Sequence, residues 1–188
     1  MKIYHHLDFA KLTNCYLVVN EFTKKALIID PCKISSTLIS QIEQDNYDLE
    51  AVFITHKHTN HYRGLKTLQK IYDFTVYAAD NELASGSAIL KDEGAKRIGG
   101  LNVEYFSLPG HSADSIVYKI ENVLFTGDVI FASTIGSSSC AYTKKYLSNG
   151  IKSKIFSLPD EMIIMPGHGP MTSVGAEKQF NLDISAAD

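Results

Sequence analysis

The 188-residue chain contains no tryptophan, only three cysteines and no long apolar run. Each absence narrows the problem. No stretch approaches the roughly 20 apolar residues that a membrane-spanning helix needs. Residues 1–10 place His5, His6 and Asp8 where an export signal requires an apolar segment, so a cytoplasmic protein is expected. Cys15, Cys32 and Cys140 are odd in number and share no C-x-x-C spacing, which argues against a disulfide framework and a cysteine zinc site. Nor is there an excess of one charge: 18 basic against 21 acidic side chains leave a net −3. With no general field to attract nucleic acid or an anionic membrane, a small-molecule substrate is the expected partner. The length fits one domain, 1–188, with 45% apolar residues to fill its core.

Short apolar runs at 2–7, 15–20 and 25–30 are separated by polar breaks, as strands of a meander are. Ile34, Leu38, Ile39 and Ile42 predict a helix over 34–45, with Ser35 and Ser36 available near its start. Residues 51–55 read as a buried strand, 64–72 as a helix, 75–79 as a strand and 81–90 as a helix. Strands are expected at 101–108, 115–120 and 123–126, the last two joined by a tight turn at Glu121 and Asn122. A helix over 142–157, a strand over 161–165 and a helix over 175–182 follow. Strands fall in two groups, each followed by helices. That order suits an α/β (α+β) arrangement of two sheets face to face with helices outside.

Histidine is the unusual residue. Thr55-His56-Lys57-His58-Thr59-Asn60-His61 places three imidazoles immediately after an expected buried strand. On an extended backbone His56 and His58 point the same way, and His61 comes from the following turn. Pro109-Gly110-His111, Thr126-Gly127-Asp128 and Pro166-Gly167-His168 each put one more metal-competent side chain at a strand end, beside a glycine that permits close approach. Three nitrogen or carboxylate ligands with one open position are what catalytic zinc sites use.

These residues resemble the marks of the metallo-β-lactamase fold superfamily: an H-x-H-x-D-H loop, then a single His, a single Asp and a final His. Within it the chain is most similar to the small glyoxalase II-like hydrolases. The stretch Pro166-Gly167-His168-Gly169-Pro170 through Glu177 resembles their P-G-H-G-P-x-T-T-I-G-x-E, and Gly127-Asp128-Val129-Ile130-Phe131 their G-D-x-L-F. The resemblance implies an αββα four-layer sandwich. It implies that His56, His58 and His111 hold a first metal, that Asp128 bridges, and that His61 and His168 belong to a second. One or two zinc ions are expected, with iron or manganese as alternatives, and the implied reaction is hydrolysis of a small thioester or ester by a metal-bound water.

Two positions depart from that pattern. Asn60 stands where the motif has an Asp that ligates the second metal and orients the attacking water. A carboxamide keeps an oxygen that can coordinate but lacks the charge and cannot take a proton, so the second site is expected to be weakened. Gly136-Ser137-Ser138-Ser139-Cys140 has neither the Lys and Tyr of glutathione-thioester enzymes nor the G-R-x-D of many small homologues, so glutathione specificity is not expected. Two other readings stand beside the hydrolase: a mononuclear iron persulfide dioxygenase-like enzyme using His56, His111 and Asp128, and a degenerate metal-binding or sensor protein. Lys144, Lys145, Lys152 and Lys154 read as the wet face of a helix, and Asp30 as a structural hydrogen-bond acceptor.

Overall fold

The computed structural model describes residues 1–185; the last three positions of the expected domain lie outside the described residues. Strands β1 (Lys2–Asp8), β2 (Thr13–Val19), β3 (Lys25–Ile29), β4 (Asp48–Phe53) and β5 (Thr75–Tyr77) form a five-stranded sheet in that order. The first three are antiparallel neighbours. Parallel pairing of β3, β4 and β5 requires crossovers, which α1 (Ser36–Gln44), α2 (Thr59–Tyr62) and α3 (Leu65–Leu68) supply. Ser35 starts α1 by accepting a hydrogen bond from the Leu38 N–H at 3.1 Å.

A six-stranded sheet follows, built from β6 (Glu93–Ile98), β7 (Leu101–Ser107), β8 (Ile116–Ile120), β9 (Val123–Gly127) and, after the small hairpin of β10 (Ile130–Phe131) and β11 (Thr134–Ile135), β12 (Ile163–Pro166) and β13 (Thr172–Ser173). Helix α4 (Ala141–Gly150), continued by a π-helical turn over Ile151–Ile155, precedes β12, and α5 (Val174–Phe180) and α6 (Leu182–Ser185) follow β13.

Alternating side chains stack these parts in four layers. In β2, Tyr16 and Val18 face the second sheet, where they meet Val103, Tyr118 and Phe125. Cys15, Leu17 and Val19 face the other way, under Leu38 and Ile42 of α1 and Leu65 and Leu68 of α3. The outer face of the second sheet, Val117, Leu124 and Ile164, packs against Leu147, Ile151 and Ile155. This is the expected αββα sandwich. No helix among the described residues is long and apolar enough to cross a membrane.

Four local readings change. The helix expected over 64–72 is reduced to α3, Leu65–Leu68. Residues 81–90 do not form a helix: Asp80 Oδ1 accepts the Glu82 and Leu83 N–H groups, and Gly86 at φ +48° breaks the path, leaving only a short 3₁₀ turn at Gly86–Ala88. Strand β6 is absent from the sequence reading because its residues are mostly exposed and show no alternation, as an edge strand allows. The helix expected over 142–157 is α-helical only to Gly150.

Strands β7, β9 and β12 run in one direction, so the segments leaving them, together with the one leaving β4, emerge along one edge of the sandwich. There the Ile116 N–H donates to the Thr55 carbonyl at 2.9 Å, tying the two sheets together beside the histidines. Tyr118, fully buried, donates from its hydroxyl to the Ile54 carbonyl at 2.7 Å and fixes the end of β4.

Candidate metal centre

All six side chains singled out by the histidine pattern meet at that edge. His56, His58, His111 and Asp128 each offer one ligand atom, and these lie within 4.8 Å of one another; His61, Asp128 and His168 form a second such group. Asp128 belongs to both. His56 Nε2 is 2.8 Å from His58 Nδ1, which is 3.0 Å from His111 Nε2. Asp128 Oδ2 lies 3.7, 3.6 and 3.7 Å from the Nε2 atoms of His56, His111 and His168. His58 is exposed and marks the open side, while His56 and Asp128 are buried.

The opposite ring nitrogens explain the aim. His61 Nδ1 donates to Asp30 Oδ2 at 2.8 Å, His111 Nδ1 to the Ser137 carbonyl at 2.8 Å and His168 Nδ1 to the Leu12 carbonyl at 2.7 Å. With Nδ1 engaged in this way, each Nε2 faces the centre. The Thr55 hydroxyl donates to Asp30 Oδ2 at 2.6 Å and stands 3.1 Å from His56 Nδ1, so Asp30 orients His61 directly and His56 through one hydroxyl. Asp30, expected as a structural acceptor, carries this positioning role from a buried site at φ +52°. The β1–β2 hairpin holds the far side: Asn14 Nδ2 donates to the Pro166 and Gly169 carbonyls, both at 2.9 Å.

Several observations say that these residues fit a cation. His61 Nε2 and Asp128 Oδ1, both buried and 3.3 Å apart, complete no hydrogen bond, and orphaned buried groups of this kind are rare without a partner. A Cβ at Gly167 would fall 2.5 Å from Asp128 Oδ1 and 2.6 Å from His61 Cε1, so glycine is what allows the close approach. Electrostatics agree. Burial, with the neighbouring His61 imidazole behind it, holds His56 neutral, its pKa down to about 2. Burial opposes the charge of His61, yet the Asp30 and Asp128 carboxylates overcome it and hold that imidazole up to about 10. Burial likewise opposes the Asp128 charge, and His61, ahead of His56 and His168, brings the carboxyl down to about 2. His56 thus stays neutral, and positive charge is favoured only at His61, between the Asp30 and Asp128 carboxylates.

Asn60 enters differently from the histidines. Its Nδ2 lies 3.0 Å from His168 Nε2 and 3.3 Å from Thr13 Oγ1. Because His168 Nδ1 is committed to the Leu12 carbonyl, the amide donates and the His168 lone pair accepts.

Residues 9–108, more than half of the chain, match the metallo-beta-lactamase superfamily. The chain belongs to that superfamily. Its relatives include a probable metallo-hydrolase of Streptococcus pyogenes serotype M6, 27% identical with 96% of this chain and 89% of that protein covered. The hydroxyacylglutathione hydrolase GloC of Haemophilus influenzae is 29% identical, with 89% and 91% covered. Among solved structures, the BLEG-1 B3 metallo-beta-lactamase superposes with a TM-score of 0.88 at 27% identity, over 98% of this chain and 100% of that one. The superfamily match contains the His56–His61 loop and Asn60; His111, Asp128 and His168 lie beyond it and are joined to that loop by the geometry. Of the supporting groups, Asp30 alone was within reach of sequence reading, through Ile29-Asp30-Pro31. Carbonyls such as those of Leu12 and Ser137 leave no trace in residue identity.

Proposed function

We propose that the protein is a metal-dependent hydrolase that cleaves a small thioester or ester in the manner of glyoxalase II-like enzymes. Zinc is held first by His56, His58, His111 and Asp128, and a second ion, held by His61, Asp128 and His168, more weakly. The observation that carries this reading is the convergence of three imidazole nitrogens and Asp128 Oδ2 on one open point, with the outward nitrogens of His56 and His111 fixed by neighbours. Borderline nitrogen donors with one carboxylate suit zinc. A divalent cation held there supplies Lewis-acid polarisation of an acyl carbonyl and acidifies water toward neutral pH.

The chain's own residues do the rest. Asp128 contributes the negative charge shared by both groups. His58, on the open side, borders the path by which substrate arrives. Asn60 is a hydrogen-bond donor where the motif has a proton acceptor, its amide turned to His168 Nε2 and Thr13 Oγ1, so it takes no proton. The site therefore has one strong ligand set and one neutral, donor-bearing flank.

The test is hydrolysis of a simple thioester by protein loaded with zinc, compared with His58→Ala. Turnover that falls at least about 100-fold in the variant is the expected result. Metal binding without turnover of any thioester or ester would replace the hydrolase with the sensor reading.

A further inference from the structure

A groove leads away from His111 along the helix that precedes β12. Tyr142, Tyr146, Asn149 and Ser153 recur at helical spacing and so share one side of α4 and its π-helical continuation. A cavity of about 360 Å³ lies between the two tyrosines and the turn Pro109-Gly110-His111. It shares Pro109 and Tyr146 with a second cavity of about 400 Å³, which continues past Asn149 to Ser153 and Lys154. None of the residues lining either stretch is acidic, and Lys154, at the far end, is the one formally charged side chain among them, with the Glu93 carboxylate beyond it at 3.9 Å from its Nζ.

The lining is unusual for a surface. Tyr142 is 77% and Tyr146 54% exposed, two aromatic rings one helical turn apart and open to solvent beside a candidate metal ligand. Lys154 lies against the same wall: its Nζ donates to the Ser107 carbonyl at 3.2 Å, stands 5.6 Å from the centre of the Phe106 ring and has the Glu93 carboxylate at 3.9 Å. From Tyr142 to Lys154 is twelve positions, about 18 Å along the axis at about 1.5 Å each. That is the reach of about five extended peptide units.

We infer that this groove seats the thiol arm of the substrate, and that the arm is of the phosphopantetheine type: long, uncharged along its length, carrying two amides and ending in a phosphate. The inference rests on the thioester reading above. The acyl carbon lies at the His111 end, the methylenes pass over Tyr142 and Tyr146, the amides face Asn149 and Ser153, and the phosphate reaches Lys154. In the reaction the acyl carbon–sulfur bond breaks; water gives its hydroxyl to the acyl carbon and its proton to the departing thiolate, leaving a carboxylic acid and a free thiol. A glutathione arm, shorter and bearing two carboxylates, finds no cation along the first two-thirds of the groove.

The experiment compares zinc-loaded protein on the acetyl thioesters of phosphopantetheine, glutathione and methanethiol. The phosphopantetheine ester is expected to exceed the glutathione ester at least tenfold in kcat/KM. Tyr146→Ala and Lys154→Ala are each expected to lower the preference for phosphopantetheine over methanethiol about tenfold, through KM. Equal kcat/KM on all three esters, or an unchanged preference in both variants, overturns the inference. If no ester turns over, the hydrolase reading fails separately, and binding of free phosphopantetheine followed by NMR decides the groove: shifts at Tyr146 that vanish in Lys154→Ala support it, and no shifts overturn it. Coenzyme A and carrier-protein thioesters as parallel arms separate the two sources of this thiol.

Discussion

The Asn60 carboxamide donates to His168 Nε2 at 3.0 Å, occupying the lone pair that a second metal would need. Binding there must break this hydrogen bond and gains no charge from position 60. Wild-type protein is therefore expected to retain one tightly held equivalent of zinc after dialysis, and Asn60→Asp two. The second equivalent should bind at least about 10-fold more tightly in the variant, since losing even an outer-sphere partner typically costs about 10 to 100-fold. Chelator competition with element analysis reads both numbers. Equal second-site affinity in the two proteins would show that the amide is no obstacle.

Asp30 is the shared support of two ligands. It accepts from His61 Nδ1 and, through Thr55, steadies His56. Asp30→Asn keeps the shape but removes the charge, so zinc affinity is expected to drop about 10 to 100-fold, in both sites rather than one. A loss confined to the second equivalent would sever the Thr55 relay from the argument.

Glycine at 167 is a spatial requirement, not a conformational one. A methyl there meets Asp128 Oδ1 and His61 Cε1 at 2.5 and 2.6 Å. Gly167→Ala should cost about 1–3 kcal/mol of stability as the neighbours shift, and weaken metal binding by more than an order of magnitude. Urea unfolding beside a zinc titration separates the two effects; intact zinc affinity would mean that Asp128 can move without consequence.

The candidate ligand cluster was legible because metal-competent side chains follow directly on apolar runs, His111, Asp128 and His168 each beside a glycine, and interrupt a pattern that packing alone would not interrupt. His56, His58, His61, His111, Asp128 and His168 all stand at such breaks. The two facing sheets were legible in the order of the elements, two groups of strands each followed by helices, and the four-layer αββα form in the resemblance carried by the histidine and glycine motifs. What escaped lacks apolar contrast or residue identity. The edge strand β6 is Glu93-Gly94-Ala95-Lys96-Arg97-Ile98, mostly exposed and without alternation. The 81–90 segment has helical spacing, but the Asp80 side chain offers its N–H groups a competing partner. Asn60 was visible as a missing charge; that its amide faces His168 required the fold.

Glu177 shows a buried carboxylate used for structure. It is 3% exposed and accepts from the Ser133 N–H at 2.9 Å, the Thr172 hydroxyl at 2.7 Å and Asn181 Nδ2 at 2.7 Å. The first of these holds Ser133 at φ +73°, the turn between β10 and β11. Removing the acceptor takes the partner from the Ser133 N–H and the Thr172 hydroxyl, so Glu177→Ala should lower unfolding stability by about 2–4 kcal/mol. Zinc stoichiometry of the folded fraction should stay the same, because no group of the metal centre touches Glu177 among the described contacts.

Cys140 is the one exposed thiol of three, set just before α4. Hydrogen bonds from the Thr143 backbone N–H and hydroxyl, with the Tyr142 N–H, stabilise its thiolate and lower its pKa below the ordinary thiol value. A lowered pKa populates the reactive thiolate at lower pH, so the rate of alkylation by iodoacetamide should rise at a pH below that of an unperturbed thiol, near 8.5. Cys15 and Cys32 are buried and should stay unlabelled in the folded protein; the hydrogen bond to Cys32 and burial push the Cys15 thiol up. Mass spectrometry should count one fast label per chain. Thr143→Ala removes the hydroxyl donor and should move the profile toward alkaline pH, whereas an unshifted profile would assign the effect to the backbone of α4 alone.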